Sequence, residues 1–271
     1  MSVVVITGCS SGFGEAIALG FARRGVRVIA SLRRTEDASA RLKEAIAPSD
    51  IVKLDVTNEA SRAEFVRDVL GRHGRIDTLV NNAGMSFYGS IEDTSEELAR
   101  RIFETNYFGP LALMRAVLPV MRAQQGGRVV NVTAIGVFLP TALLGVYSAS
   151  KSALDAVSAA ADLEGRPFGV RVPSVLPGQF KTAIAHKSPK PIVTQAYAGI
   201  AAALDRHRTA HAADFQSDYS QVVDAVIAAA TDEHPQTRYL AGIGIALRLE
   251  KALAEMESIQ RFSADRAGLS G

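Results

Sequence analysis

Val3-Val4-Val5-Ile6-Thr7-Gly8-Cys9-Ser10-Ser11-Gly12-Phe13-Gly14 is the stretch on which the fold turns. Its β-branched run has no polar interruption and reads as a strand buried on both faces. Glycines follow at once, and residues 15–24 then read as a helix. A glycine-rich turn from a buried strand into a helix lets backbone approach a pyrophosphate, whose charge the helix N-terminus stabilises. Gly8, Gly12 and Gly14 are spaced four and two apart, unlike the commonest dinucleotide fingerprint, where the close pair comes first. An ordinary tight turn shares this composition, so the rest of the chain has to decide.

Outward from that stretch the pattern repeats. Residues 3–6, 27–31, 51–54, 78–80, 128–132 and 170–176 read as buried strands, rich in Val and Ile. Between them, residues 15–24, 36–46, 59–72, 96–124 and 147–163 read as helices, with Gly25 and Gly126 placed as helix-ending glycines. Strand–helix alternation of this kind predicts a parallel sheet covered on both faces by right-handed crossovers. The fold class is therefore α/β, a doubly wound parallel sheet (Rossmann fold). With no repeat, low-complexity tract or linker, residues 1–271 form a single domain. Beyond Leu176 the pattern loosens, and residues 183–271 read as a substrate loop followed by C-terminal helices. Residues 186–194, with Pro189, Pro191 and lysines, read as a mobile loop. Residues 196–211 and 219–231 read as helices, 237–241 as a seventh strand, and the tail from Leu247 as helix and then frayed end. Pro173 inside the sixth apolar run deletes a ladder donor and predicts a local bulge.

Composition narrows the function. The chain has 271 residues, 48% of them hydrophobic, enough for a substantial core. A net charge of +2 without a basic block excludes a nucleic-acid partner. Its one cysteine, Cys9, excludes an internal disulfide and fits a reducing compartment. The apolar run at residues 3–6 is too short for a signal peptide, and no apolar stretch reaches membrane-spanning length. These features predict a cytoplasmic protein with no membrane partner. His207 and His211 are four apart, but Arg208 stands where a zinc protease would need glutamate and no third ligand is evident, so no metal is expected. Cys9 reads as a small packing residue.

Tyr147-Ser148-Ala149-Ser150-Lys151 carries the chemistry. Tyrosine and lysine four apart share one helix face, and an ammonium beside a phenol is expected to lower its pKa toward neutrality. Together with Thr7-Gly8-x-x-x-Gly12-x-Gly14, Asn81-Asn82-Ala83-Gly84, Asn106 and Pro177-Gly178, all in order, this motif makes the chain resemble the short-chain dehydrogenase/reductase family. The resemblance covers about residues 3–182 well and the remainder in general layout. The motifs at the N-terminus and at residues 81–84 are most similar to the hydroxysteroid/retinol dehydrogenase-like branch.

What the resemblance implies is a hydride transfer between a nicotinamide and a ketone or secondary alcohol. Tyr147 would move the proton to or from the oxygen. Lys151 would lower the phenol's pKa and hold the nicotinamide ribose, and Asn106 would anchor a water leading from Lys151 to solvent. Gly8, Ser10, Ser11, Gly12, Phe13 and Gly14 would cradle the cofactor. Asp55 and Val56 would flank adenine, Asn82, Ala83 and Gly84 would follow the ribose side, and Pro177, Gly178 and Thr182 would border the nicotinamide. At the end of the second strand the chain reads Ser31-Leu32-Arg33-Arg34. Leu32 falls where the family's NAD-selecting acid would lie. Arg33 follows, and a guanidinium binds a 2′-phosphate with charge-assisted hydrogen bonds, so the cofactor is expected to be NADP(H).

One expected part is missing. Counting 13 positions back from Tyr147 puts Ala134 where the family has a serine that donates to the substrate oxygen. Thr133 would have to swing in from the opposite strand face. Weakened or altered chemistry is implied, with a catalytically silent NADP-binding sensor or regulatory protein as the alternative. Ile135, Phe138, Leu143 and Phe87 are expected to line the pocket for a small apolar ketone or secondary alcohol. Small residues along the helix of Tyr147, among them Ala149, Ala153, Ala156 and Ala160, predict a homodimer or homotetramer paired through that helix.

Overall fold

The computed structural model describes residues 2–139, 141–182, 184, 188–190, 192–210, 215–246, 249–250 and 254. Strand β1 (Val3–Thr7) is buried along its whole length and is flanked by β2 (Arg27–Leu32) and β4 (Thr78–Asn81), with β3 (Ile51–Lys53) outside β2. On the other side, β5 (Gly127–Val132) pairs with β4, then with β6 (Val170–Arg171) and β7 (Ser174–Pro177), and β8 (Arg238–Ala241) closes the sheet beside β7. Every pairing is parallel. The order runs β3-β2-β1-β4-β5-β7-β8, so the winding direction reverses between β1 and β4. That reversal opens a crevice at their C-terminal ends, where α/β sheets bind ligands.

Helices cover both faces, because strands this apolar must be shielded from water on each side. On one face α1 (Gly12–Ala22) and α8 (Ser220–Thr231) pack Ile17, Phe21, Val222 and Val226 against the sheet. The other face is covered by α3 (Glu59–His73), α5 (Gly109–Ala123) and α6 (Gly145–Gly165), through Phe65, Val69, Leu113, Met121 and Leu154. Beside the crevice, α4 (Glu96–Phe103) adds a small cluster of Phe87, Leu98 and Ile102. Two further helices among the described residues are α2 (Ala40–Ala45), capped by Ser39 Oγ accepting from Leu42 N, and α7 (Ala198–Ala210).

Several expectations need correction. The helix expected over residues 96–124 is divided by a π-helical turn, Glu104–Phe108, between α4 and α5. That expected over 36–46 is a 3-10 turn, Thr35–Asp37, followed by the short α2. After α5 the left-handed residue is Gln125 (φ 54), not Gly126. Pro173 makes no bulge. Val170 and Arg171 pair with Gly127 and Arg128, and Ser174 and Val175 pair with Asn131 and Val132, the same offset on both sides. The strand is interrupted without an inserted residue. Pro173 still offers its carbonyl to Asn131 N (3.0 Å), and Val172 N, ahead of the first β8 pairing, donates to Asp162 Oδ1 (2.9 Å). Of the residues expected as a loop at 186–194, those at 186, 187 and 191 lie outside the described residues, and Ile192 forms a bridge to Gly89; most of the tail from 247 and His211 also lie outside them.

Candidate active site

At the C-terminal ends of β1 and β4 the chain crosses itself closely. Thr7 Oγ1 accepts from Asn82 N (3.0 Å) and Ala83 N (2.9 Å) and donates to Val80 O (3.3 Å). Asn82 Nδ2 donates to Thr7 O (2.9 Å). Two glycines make this crossing feasible. Gly8 has φ 75, and a Cβ there would stand 2.9 Å from Ala83 Cα. A Cβ on Gly14 would collide with Gly8 O and with Asn82 Nδ2. The result is a backbone cradle opening α1, backed by Asn82, Ala83 and Gly84, at a helix N-terminus whose dipole favours a pyrophosphate. Cys9 is fully buried beneath it, its Sγ donating to Ile6 O (3.3 Å). Burial pushes this thiol up to about 12, so it is a packing residue.

The cradle is one end of a cavity of about 2200 Å³. That exceeds the roughly 300–1,000 Å³ typical for one drug-sized ligand. Gly8, Ser10, Ser11, Gly12, Phe13 and Gly14 line it, as do Asp55, Val56, Pro177, Gly178 and Thr182. Leu32 ends β2 buried, at 2% exposure. Arg33 beyond it is exposed on the rim, and among the described residues it makes no ion pair. Its neighbour Arg34 is taken up by Asp37, through Nε (3.1 Å) and Nη2 (2.9 Å). Asp37 also lines the cavity, with its charge answered by that pair. The residues present therefore fit a dinucleotide.

Tyr147 and Lys151 project from α6 into the same cavity. Lys151 is 4% exposed and its Nζ donates to Val132 O (2.8 Å). Burial lowers its pKa to about 8. Tyr147 is half-buried, and desolvation pushes its phenol up to about 12. The expected lowering of the phenol by Lys151 is thus reversed, because the ammonium is turned to a strand carbonyl and burial dominates. Asn106 sits fully buried in the π-turn, off the cavity wall. Its Oδ1 accepts from Met85 N (2.9 Å), and its Nδ2 donates to Met85 O (2.9 Å) and Ser150 Oγ (3.0 Å). Both amide hydrogens are spent on protein. Gly84 lies between Asn106 and Lys151: a Cβ there would be 3.3 Å from Asn106 Oδ1 and 3.5 Å from Lys151 Nζ.

Ala134 is extended (φ −163) at the end of β5 and lines the cavity, as does Ile135. Thr133 does not swing in; its Oγ1 donates to Val175 O (3.2 Å), buried in the sheet. Phe87 is on the wall, but Phe138 and Leu143 are not. Phe138 instead lies under the Arg238 guanidinium, 5.4 Å from its ring centroid, and Arg238 is tied to Asp155 (2.8 Å). Leu143 is buried at φ 63, with its carbonyl accepting from Gly89 N (2.9 Å). Leu139 and Leu144 take their places. Sequence reading also missed Met85, Tyr88 and the wall built by α7 with Ala201, Leu204 and Arg208. No local pattern in α7 marks it as pocket-facing. His207 lines the cavity too, and no metal-binding cluster is found among the described residues.

A parallel sheet wound both ways around a glycine cradle, with Tyr147 and Lys151 in the same crevice, defines an oxidoreductase of the Rossmann class. The chain belongs to the short chain dehydrogenase family, which it matches over residues 2–192. It is 36% identical over 180 residues to a 3-ketodihydrosphingosine reductase of Bacteroides thetaiotaomicron, a match covering 66% of this chain and 64% of that protein. It is 34% identical to the oxidoreductase YusZ of Bacillus subtilis across 91% of both chains. Among solved structures, a short-chain dehydrogenase from Streptomyces avermitilis superposes with TM-score 0.83 at 34% identity, covering 98% of this chain and 97% of that one. A short chain dehydrogenase from Burkholderia cenocepacia in complex with NADP gives TM-score 0.74 at 27% identity, covering 100% and 98%. Among the described residues no helix is long and apolar enough to cross a membrane.

Proposed function

We propose that this protein is an NADP(H)-dependent reductase of ketones, or dehydrogenase of the corresponding secondary alcohols. The observation that carries the reading is the placement of Tyr147 and Lys151 in one cavity with the glycine cradle and with Arg33, which makes no ion pair among the described residues. When bound, the nicotinamide supplies or accepts the hydride. Gly8, Ser10, Ser11, Gly12, Phe13 and Gly14 hold the pyrophosphate region, and Arg33 meets the 2′-phosphate. Asp55 and Val56 bound the adenine side, Asn82, Ala83 and Gly84 the ribose side, and Pro177, Gly178 and Thr182 the nicotinamide side. A phenol with pKa about 12 stays protonated at neutral pH, which suits Tyr147 to donate its proton to a carbonyl oxygen. Lys151 keeps a cation beside the ribose, and Asn106 holds the Met85 backbone under it.

Met85, Phe87, Ile135 and Leu139 give the remaining cavity an apolar wall suited to a bulky ketone of the hydroxysteroid or retinol kind. The reading is completed by a cytoplasmic homodimer or homotetramer paired through α6. A second reading, a silent NADP sensor, draws on Ala134, which brings no donor to the chemical end. Consumption of NADPH and NADH against a panel of ketones and alcohols separates the two. Titration should give tighter binding of NADPH than NADH, and Arg33→Asp should invert that order. Equal affinities would overturn the assignment of Arg33, and tight NADPH binding without turnover of any panel member would favour the sensor.

A further inference from the structure

A carbonyl oxygen gains negative charge as hydride arrives at its carbon, and one proton donor rarely stabilises that charge alone. At this site Ala134 has no donor, and the Thr133 hydroxyl is committed to Val175 O. Ser150 Oγ donates to Tyr147 O (2.7 Å) and accepts from Asn106. Ser86 lies within 3.4 Å of Ser188. The hydroxyl next to Tyr147 in the chain is uncommitted among the described residues. Ser148 is only 8% exposed, lines the cavity, and among the described residues its Oγ has no hydrogen-bond partner. A hydroxyl that faces the cavity without a protein partner is free to donate to a ligand there.

Its surroundings set its aim. Ser148 and Lys151 are three apart on α6 and Tyr147 and Lys151 four apart, so Lys151 lies between the other two on one face. Across from Ser148 runs the 3-10 turn Ile135–Val137, which follows Ala134. Gly136 in that turn leaves room for the hydroxyl: a Cβ there would stand 2.9 Å from Ser148 Oγ. The hydroxyl therefore occupies space against the turn that follows Ala134, the residue that brings no side-chain donor.

We propose that Ser148 is a catalytic residue that donates the second hydrogen bond to the reacting oxygen, the contribution Ala134 cannot make. The inference rests on the ketone-reductase reading. Hydride adds to the carbonyl carbon, the π pair moves to oxygen, and that oxygen takes the Tyr147 proton. Ser148 keeps its own proton and contributes a hydrogen bond that shortens as the charge grows.

The test is a cycle of variants on the panel ketone that the parent reduces fastest. Ser148→Ala should lower kcat by about 10²-fold, the usual loss for one oxyanion donor, with NADPH affinity unchanged. Ala134→Ser should gain less than about threefold in the parent yet restore at least about tenfold in the Ser148→Ala background, because the two hydroxyls serve one oxygen. Gly136→Ala, which crowds the Ser148 hydroxyl without touching Tyr147, should reproduce part of the loss. A readout apart from turnover is the carbonyl stretch of 13C-labelled 2-decanone bound with oxidised NADP, which should move to higher frequency in Ser148→Ala. If the parent reduces ketones and Ser148→Ala changes neither kcat nor that frequency, the proposal is wrong while the reductase reading stands. If the parent reduces no ketone and binds no 2-decanone, the reductase reading fails and takes this proposal with it.

Discussion

Lys151 bears a burden that can be measured without any substrate. Its ammonium is 4% exposed with Val132 O as acceptor, and burial takes its pKa from 10.5 to about 8. Below pH 8 both folded and unfolded chains hold the proton, and the folded state carries the full penalty. Between pH 8 and 10.5 the unfolded chain binds more protons, so stability rises with pH. Lys151→Met should therefore stabilise the protein at pH 7 by about 1–3 kcal/mol, a gain that fades as pH approaches 10.5. Paired urea unfolding of the two proteins at pH 7 and pH 10 measures this, and identical stability at pH 7 would contradict it. Strong local signals in the sequence marked the cradle glycines, Arg33, Tyr147 and Lys151, and all of them line the one cavity. The places of Phe138 and Leu143 were not legible, because neither sits on a periodic element. Phe138 follows a 3-10 turn that delivers it to Arg238, and Leu143 is turned inward by a left-handed backbone.

The π-turn between α4 and α5 shows how an element can be misread from propensity alone. Residues 96–124 are good helix formers almost throughout, yet Asn106 leaves the α-helical register to bind both backbone groups of Met85. Gly109 then packs so closely on β3's outgoing chain that a Cβ would stand 2.7 Å from Val56 O. These are contacts with segments far away in sequence, invisible to a windowed pattern. Asn106→Leu would leave the Met85 N–H and C=O without partners, and each buried loss costs about 1–3 kcal/mol. We expect a drop of roughly 2–4 kcal/mol, against about 1 kcal/mol or less for Ser150→Ala, which removes one of the three bonds. Denaturant melts of both variants decide; an Asn106→Leu protein as stable as the parent would show the turn to be indifferent to its side chain. Pro173 teaches the complementary lesson. The sequence correctly marked a break in the ladder but could not tell a break from a bulge, since only the unchanged β5 register distinguishes them.

At the scale of the molecule, alternation of apolar runs and amphipathic segments made the doubly wound sheet readable, and the cradle then located the crevice. The far wall of the cavity was unreadable because α7 reaches it through a long excursion after β7. The same scale governs association. On α6, Ala149, Ala156 and Ala160 are exposed, which leaves a smooth face where another helix can approach closely. Phe168 (39%) and Leu163 (61%) add exposed apolar surface at its C-terminal end. Sedimentation at micromolar concentration should therefore give a species of at least twice 28.8 kDa. Ala156→Glu should shift it toward the single chain, and a 28.8 kDa species alone in the parent would end the assignment of this face.

The central position of β1 also has a consequence for biosynthesis. This strand leaves the ribosome before either of its neighbours, and one of them, β4, ends only at Asn81. At bacterial and eukaryotic translation speeds of 5–20 residues per second, the roughly 70 residues between them take about 4–15 s to emerge. For that interval Val3-Val4-Val5-Ile6 has only β2 to pair with, and its other edge lies open to any extended chain nearby. Strand order itself thus leaves that edge open until β4 arrives, since α1 covers a face of the sheet and not its edge.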